Sequence, residues 1–274
     1  MNAVRRLVSA IRWRSRALLA NRPRIIEYRS FRLCYMPMGV YADVIKGGWI
    51  YEREISRAIV EEIRAKDERV FVDVGAHIGL VTLNVLAEVP NVRVFAFEPG
   101  PRQCFFLRRT LRANGLEERV MLKQVALGQA AGRQDFVCQR RFPSVDYSMG
   151  DGLRNTRRWG KRTKTIKVDV ATLDGWWESA GRPHVGVIKV DTEGSELWVL
   201  RGGEKVLARR RPTVFLEVQP QNLVGYPYDQ HDILRWLNEH EYQLETLDGA
   251  TLTHESLDDR TRNEEMFKAR PRGE

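Results

Sequence analysis

The chain has 274 residues, 43% of them hydrophobic and 30% charged, with a formal net charge of +9. That length and apolar content suffice for one large α/β domain with appendages, so no disulfide framework is needed to hold it together. Cys34, Cys104 and Cys138 are odd in number and lack C-x-x-C spacing, which argues against a zinc or disulfide scaffold and for a reducing compartment. No stretch approaches the roughly 20 apolar residues of a membrane-spanning helix. The N-terminus lacks a signal-peptide core, and the expected location is the cytoplasm.

The basic charge sits in two segments. Nine arginines from Arg5 to Arg32 face only Glu27, and nine basic residues between Gln139 and Lys167 face only Asp146 and Asp151, so the rest of the chain is mildly acidic. Residues 1–24 read as an amphipathic helix, with Val4, Leu7, Val8, Ile11, Leu18 and Leu19 on one face and Arg5, Arg12 and Arg16 beside it. Such a helix either packs its stripe on the domain or lies on the anionic inner face of a membrane as a peripheral contact. Residues 25–66 are expected to cap the domain. They hold a short edge strand at Ser30–Tyr35, Trp49 and Tyr51 near the cleft or over the sheet, and a helix from Glu54 to Lys66 that buries Ile55, Ile59 and Ile63.

The segment from Arg69 to Asn84 organises the rest of the chain. Val70–Val74 is a short β-branched run of the kind buried on both faces of a parallel sheet, with Asp73 near its carboxyl end. Gly75 and Gly79 bracket a turn into a helix: Gly75 leaves room for a ligand, and Gly79 lets the helix pack closely on the strand. A dinucleotide site would need G-x-G-x-x-G to receive a pyrophosphate, and this chain has D-x-G-x-x-x-G instead. An S-adenosylmethionine site has no such requirement. Asp73 can reach the amino-acid end of that cofactor, and Glu98, ending the strand Val92–Phe97, can accept both ribose hydroxyls.

After Pro99 and Gly100, Gln103–Asn114 forms a helix with Phe105, Phe106 and Leu111 toward the sheet, stopped at Asn114-Gly115. Val120–Val125 is the third parallel strand, where Gln124 either meets the adenine edge or is a solvent-facing turn residue. Gln134–Cys138 adds an antiparallel strand. The second basic segment, with Gly150, Gly152, Gly160 and Trp159, reads either as a lid over an anionic acceptor or as a solvated charged loop. Thr165–Val170 is a strand, and Thr172 or Asp174 caps the next helix.

A second chemical stretch begins at Val185. Its strand delivers Lys189 and Asp191 to one face, because alternate residues of a strand point the same way, and Glu193 joins them if the extension persists. Three charges at a strand end are costly to bury without a task. A sulfonium methyl is already electrophilic, so an enzyme must mainly align an acceptor oxygen and relieve it of its proton. Asp191 is the expected base or orienting group, with Glu193 and Glu217, at the end of Thr213–Val218, in reserve. Lys189 would keep Asp191 ionised or steady developing charge. A divalent metal between these carboxylates is possible, yet no spacing demands it. Asp232–His240 is a helix, Tyr242–Leu247 and Thr251–Thr253 form a hairpin about Asp248-Gly249, and residues 256–274 are expected to be a loosely ordered charged tail.

Taken in order, Val72-Asp-Val-Gly-Ala-His-Ile-Gly79, Phe97-Glu-Pro99, Val125-Ala-Leu-Gly128, Thr172-Leu-Asp174 and Ile188-Lys-Val-Asp-Thr-Glu-Gly-Ser-Glu196 resemble the motifs of the FkbM-type S-adenosylmethionine-dependent methyltransferases. The resemblance implies a Rossmann-like α/β fold of the class I methyltransferase type, doubly wound and mostly parallel with a reversed C-terminal hairpin, over residues 67–255. Together with the reading of the residues above, Asp73, Gly75, Ala76, His77, Gly79, Glu98, Gln124 and Asp191 are expected to line the cofactor. The family usually has Asn at His77. The implied reaction is methylation of a hydroxyl on a glycan, glycolipid or secondary metabolite. Two rivals remain: an RNA-binding or RNA-methylating protein using the basic segments, although the chain lacks a base-methylation motif, and a non-catalytic cofactor-binding protein.

Overall fold

A computed structural model describes residues 23–35, 52–67, 69–139 and 163–273. The amphipathic segment 1–22, Trp49, Tyr51 and the core of the second basic segment with Trp159 lie outside the described residues. No described helix is long and apolar enough to cross a membrane.

The chain enters through a hairpin of β1 (Arg24–Tyr28) and β2 (Phe31–Tyr35), paired antiparallel and separate from the main sheet. Leu33, Cys34 and Tyr35 are buried, and the Cys34 amide donates to Thr110 Oγ1 at 2.9 Å. Helix α1 (Arg53–Ala65) buries Ile55, Ile59 and Ile63, as their i, i+4 spacing predicts. It also buries Glu62, which accepts from Thr213 Oγ1 at 2.8 Å and from Arg270 at 2.6 Å, tying the helix to two distant strands.

From there the chain alternates strands and helices: β3 (Val70–Val74), α2 (Leu80–Glu88), β4 (Arg93–Phe97), α3 (Pro101–Asn114) and β5 (Val120–Lys123). After β5 it makes a three-stranded side sheet from β6 (Ala126–Leu127), β7 (Gly132–Gln139) and β8 (Thr163–Ala171). Helix α4 (Leu173–Ser179) is capped by Thr172, whose hydroxyl accepts from the Gly175 amide. Strand β9 (Val187–Val190), helices α5 (Glu196–Arg201) and α6 (Glu204–Arg210), and strand β10 (Thr213–Glu217) come next. Asp174 caps α6 rather than its own helix, accepting from the Lys205 and Val206 amides at 3.0 and 2.9 Å. The chain closes with α7 (Pro220–Leu223), α8 (Gln230–Glu239), β11 (Tyr242–Glu245), α9 (His254–Asn263) and β12 (Met266–Pro271).

The main sheet has seven strands in the order β11-β12-β10-β9-β3-β4-β5. Strands β3, β4, β5, β9 and β10 run parallel, and β12 runs antiparallel to both its neighbours. The chain steps outward from β3 through β4 to β5, then resumes on the other side of β3 with β9. The strand order therefore reverses between β3 and β9, and the crevice beyond their carboxyl ends is where such sheets take ligands. Side chains divide by alternation. Val70, Val72, Val74, Ile188 and Val190 face one core with Trp176, Trp177 and Leu197. Phe71, Val187 and Phe215 face the other, with α1 and α2.

The structure corrects the sequence at two places. Phe105 is 46% exposed rather than facing the sheet, because Cys104, Phe106, Leu107 and Leu111 already fill the buried face of α3. It rests edge-on against Phe106 at 5.2 Å, beneath the Arg109 guanidinium. Residues 256–274 are no tail either: α9 and β12 lie there, and β12 inserts between β10 and β11. The reversed terminal pair is β11 with β12, and Thr251 adds only a bridge to Glu245. Ala269 and Phe267, fully buried, drive the insertion by supplying the alternating apolar face that a strand beside β10 requires.

Candidate active site

The crevice is built from four strand ends. Asp73 and Lys189 are register partners on β3 and β9, so both side chains project from the α1 and α2 face. Asp191 lies two residues beyond Lys189 and keeps that face, and its amide donates to the Val74 carbonyl at 3.0 Å. Lys189 Nζ lies 2.9 Å from Asp191 Oδ2 and 3.8 Å from Asp73 Oδ1. Burial opposes the lysine's charge, but Asp191, Asp73 and Glu52, just before α1, together hold the ammonium above its ordinary range. Asp73 is fully enclosed. Burial pushes its carboxyl up against the pull of Lys189 and of Thr82, whose hydroxyl donates to Oδ2 at 2.5 Å. The other oxygen, Oδ1, accepts no hydrogen bond among the described residues.

The turn after β3 is set by steric necessity. Gly75 has φ 79°, and a Cβ there would lie 1.7 Å from the Asp191 carbonyl oxygen. The close approach that the sequence suggests for a ligand is thus made by the backbone of the loop after β9. Gly79 has φ 89°, and its missing Cβ makes room for Leu107 of α3, not for the strand. The Gly75 and Ala76 amides both donate to the Phe97 carbonyl, at 2.9 and 3.0 Å. His77 has φ 51°, a left-handed conformation that His and Asn tolerate better than most side chains.

Glu98 ends β4 where expected, but its carboxylate is already engaged. Oε1 accepts the Gly100 amide at 2.6 Å and Oε2 the His77 amide at 2.9 Å, joining the loops after β4 and β3. Each carboxylate oxygen has a second lone pair, so ribose hydroxyls can still be accepted. Gln124 is exposed immediately beyond β5.

The far side of the crevice is acidic. Glu217, at the end of β10, is buried, and Asn222 Nδ2 donates to its Oε2 at 2.9 Å. Burial, then the charges of Asp191, Glu193 and Glu196, push its carboxyl well above the usual range. Glu193 has φ 57° and turns back toward Asp191 and Glu217, so the three carboxylates converge with ligand oxygens within 4.8 Å of one another. These are the described residues that could hold a metal. Glu196 stabilises that turn from below: its Oε1 accepts from the Thr192 amide and hydroxyl, both at 2.9 Å, and from the Gly194 amide at 3.2 Å. Burial pushes its carboxyl up to about 7 against these bonds.

The structure therefore brings Asp73, Gly75, Ala76, His77, Glu98, Lys189, Asp191, Glu193 and Glu217 to one crevice, with Gln124 at its edge and Gly79 one layer behind. Thr82, Glu196, Asn222 and Glu52 were not anticipated. Thr82 lies on the helix started by Gly79 and Glu196 ends the Ile188–Glu196 motif, so both had a signal; Asn222, in a four-residue helix, had none.

The buried groups make two effects measurable. Thr82→Val should cost about 1.5–3 kcal/mol, read by urea denaturation, because it removes a hydrogen bond to a buried carboxylate. An unchanged midpoint would contradict the pairing. Burial lowers the His77 imidazole to about 4, with Lys189 adding to the effect and Asp191 opposing it. The unfolded chain then binds the extra proton near pH 6.5, so stability should be full above that pH and fall as pH drops toward 4, by at most about 3 kcal/mol. His77→Asn should flatten that stretch of the stability profile.

The strand order, with its reversed seventh strand and its crevice at the β3/β9 switch point, is that of the Rossmann-like class I methyltransferase fold. The family model for the methyltransferase FkbM domain matches residues 73–244, and the chain belongs to that family. It is similar to the 2-O-methyltransferase NoeI of Sinorhizobium fredii, 27% identical over 182 residues, which are 62% of this chain and 71% of that protein. It is also similar to the hexuronic acid methyltransferase AglP of Haloferax volcanii, 32% identical over 152 residues, 55% of this chain and 56% of that protein. A crystal structure of methyltransferase FkbM from Methylobacillus flagellatus KT is 18% identical, with a TM-score of 0.48, covering 74% of this chain and 44% of that one.

Proposed function

We propose that the chain methylates a hydroxyl group of a glycan, a glycolipid or a similar polyhydroxylated small molecule, with S-adenosylmethionine as the methyl donor. The observation that carries the reading is the Asp73–Lys189–Asp191 row beside Glu98 at the switch point. The residues fit the cofactor: the enclosed Asp73 Oδ1 accepts no hydrogen bond among the described residues, and Glu98 keeps lone pairs for ribose hydroxyls. The names of the two relatives, a 2-O-methyltransferase and a hexuronic acid methyltransferase, favour oxygen as the acceptor atom and a sugar as its carrier.

The cofactor supplies an electrophilic methyl on a positively charged sulfur. The protein's part is positional and electrostatic. Asp191, with 22% of its side chain exposed, lies at the mouth of the row, where it can orient an acceptor hydroxyl and take its proton as oxygen bonds to carbon. Lys189 keeps Asp191 aligned, its ammonium donating to Oδ2 at 2.9 Å. Gly75, Ala76 and His77 shape the turn over which the donor would lie, and Gln124, exposed just beyond β5, would meet the adenine edge. Glu193 and Glu217 flank the acceptor. The second basic segment, outside the described residues, would suit a carboxylated or phosphorylated acceptor.

Purified protein given methyl-labelled S-adenosylmethionine and a panel of uronic acid and neutral hexose glycosides should place label in alkali-stable ether linkages on sugar. Label in RNA instead, or in none of the panel, would overturn the proposed acceptor class.

A further inference from the structure

Helix α3 carries Phe105, Arg108, Arg109 and Arg112 at spacings of three and four, which puts them on one stripe, and all four are exposed. The hairpin β1–β2 lies along this helix: the Cys34 amide donates to Thr110 Oγ1, and Arg32 exchanges two backbone hydrogen bonds with the Asn114 side chain, at 2.8 and 2.9 Å. Ile25 is the register partner of Cys34 and so shares its side of the hairpin, where the Arg109 side chain hydrogen-bonds Cys34. Ile25, Arg109 and Phe105 therefore belong to one continuous outward face. We propose that this face docks the protein on an anionic phospholipid bilayer, with Ile25 and Phe105 entering the headgroup boundary and the arginines of α3 meeting lipid phosphates.

The face is both apolar and basic. Among the described residues the exposed large hydrophobics are Ile25, at 52%, Phe105, at 46%, and Val224, so two of the three fall here. Neither is needed by the core, which the hairpin fills from its other side with Tyr28, Leu33 and Tyr35. Arg108, Arg109 and Arg112 form no ion pair among the described residues. Glu27, opposite Arg32 in the register, offsets that one arginine, and Glu117 and Glu118 lie past the end of the helix at Gly115. Arg109 stands over the Phe105 ring at 5.5 Å, so charge and apolar surface are presented together. An anionic leaflet attracts each such basic residue about fivefold in partition.

RNA would use the same arginines through its phosphates, but it has no use for the aliphatic Ile25, and Arg109 already covers the ring on which a base would stack. A bilayer engages both kinds of group. The sequence is continuous with this choice, because residues 1–22, with their apolar stripe and Arg5, Arg12 and Arg16, lead directly into β1. Helix α3 starts at Pro101, just past Glu98 and Gly100, so the docked face borders the crevice. Docking would hold that crevice at the headgroup level, where a glycolipid presents its sugar. This consequence rests on the methyltransferase reading above; the docking itself does not.

The test is cosedimentation of the full chain with phosphatidylcholine vesicles, with and without phosphatidylglycerol, at low and high salt. The expected result is partition onto the phosphatidylglycerol vesicles alone, falling as salt rises. The double variant Arg108→Gln/Arg112→Gln should weaken that partition about tenfold or more, and Phe105→Ser about fivefold. Both change exposed side chains and should keep the wild-type denaturation midpoint; if Phe105→Ser melts early, Ile25→Ser is the apolar probe in its place. Absence of partition, or partition that the arginine variant leaves unchanged because residues 1–22 alone carry it, would overturn the proposal. So would binding of single-stranded RNA that the arginine variant abolishes while vesicles stay unbound. A parallel titration with S-adenosylhomocysteine separates the two readings: heat with that ligand and no vesicle binding removes the docking face and keeps the methyltransferase.

Discussion

Gly75→Ala is expected to abolish cofactor binding and to lower the unfolding free energy by about 4 kcal/mol or more. Two costs act together. The backbone at Gly75 is left-handed, which any Cβ disfavours, and the added carbon would lie 1.7 Å from the Asp191 carbonyl oxygen. That oxygen cannot swing aside like the end of a flexible side chain, because the Asp191 amide is held by the Val74 carbonyl. Relief requires β3 and β9 to separate at their carboxyl ends, which pulls Lys189 from Asp73 and breaks the row on which the crevice is built. Calorimetry with S-adenosylhomocysteine and denaturant melting read the two effects. A variant that binds normally and melts near wild type would show that the strand ends do not meet as described.

Asp191→Asn is expected to reduce methyl transfer by about 10²–10⁴-fold while weakening S-adenosylhomocysteine binding less than tenfold. The asymmetry arises because the Asp191 backbone, not its side chain, closes on Gly75. The amide that replaces the carboxylate fills the same volume but cannot take a proton from an acceptor hydroxyl, and it leaves Lys189 only Asp73 as a charged partner of the row. Full turnover in this variant would move the proton acceptor to Glu193 or Glu217.

The parallel strands were legible because each is a short, mostly apolar run with a charged residue at or next to its carboxyl end, a pattern that few other elements imitate. Lys189 and Asp191 were placed on one face by alternation alone, and their pairing at 2.9 Å agrees with that. The glycines were recognised as tight positions, but a sequence cannot say what comes close: the Asp191 backbone at Gly75 and Leu107 at Gly79 are partners from distant segments. Convergence of Glu193 with Glu217 was hidden for a related reason. It depends on a left-handed turn at Glu193 and on the register of β9 with β10, neither of which has a local signal. The final strand was missed because Met266–Pro271 reads as charged and short, with Lys268 and Arg270 masking its apolar alternation. Lys268 pairs with Glu245 at 3.6 Å, and Arg270 reaches Glu62 on α1.

Every role assigned to these residues depends on the crevice between β3, β4 and β9 receiving an adenosyl sulfonium. Isothermal titration of the full chain with S-adenosylhomocysteine tests this most directly. One site with micromolar affinity, about −8 kcal/mol, weakened in Glu98→Ala, is the predicted result. No heat with this ligand or with S-adenosylmethionine, or binding that Glu98→Ala leaves unchanged, would contradict it.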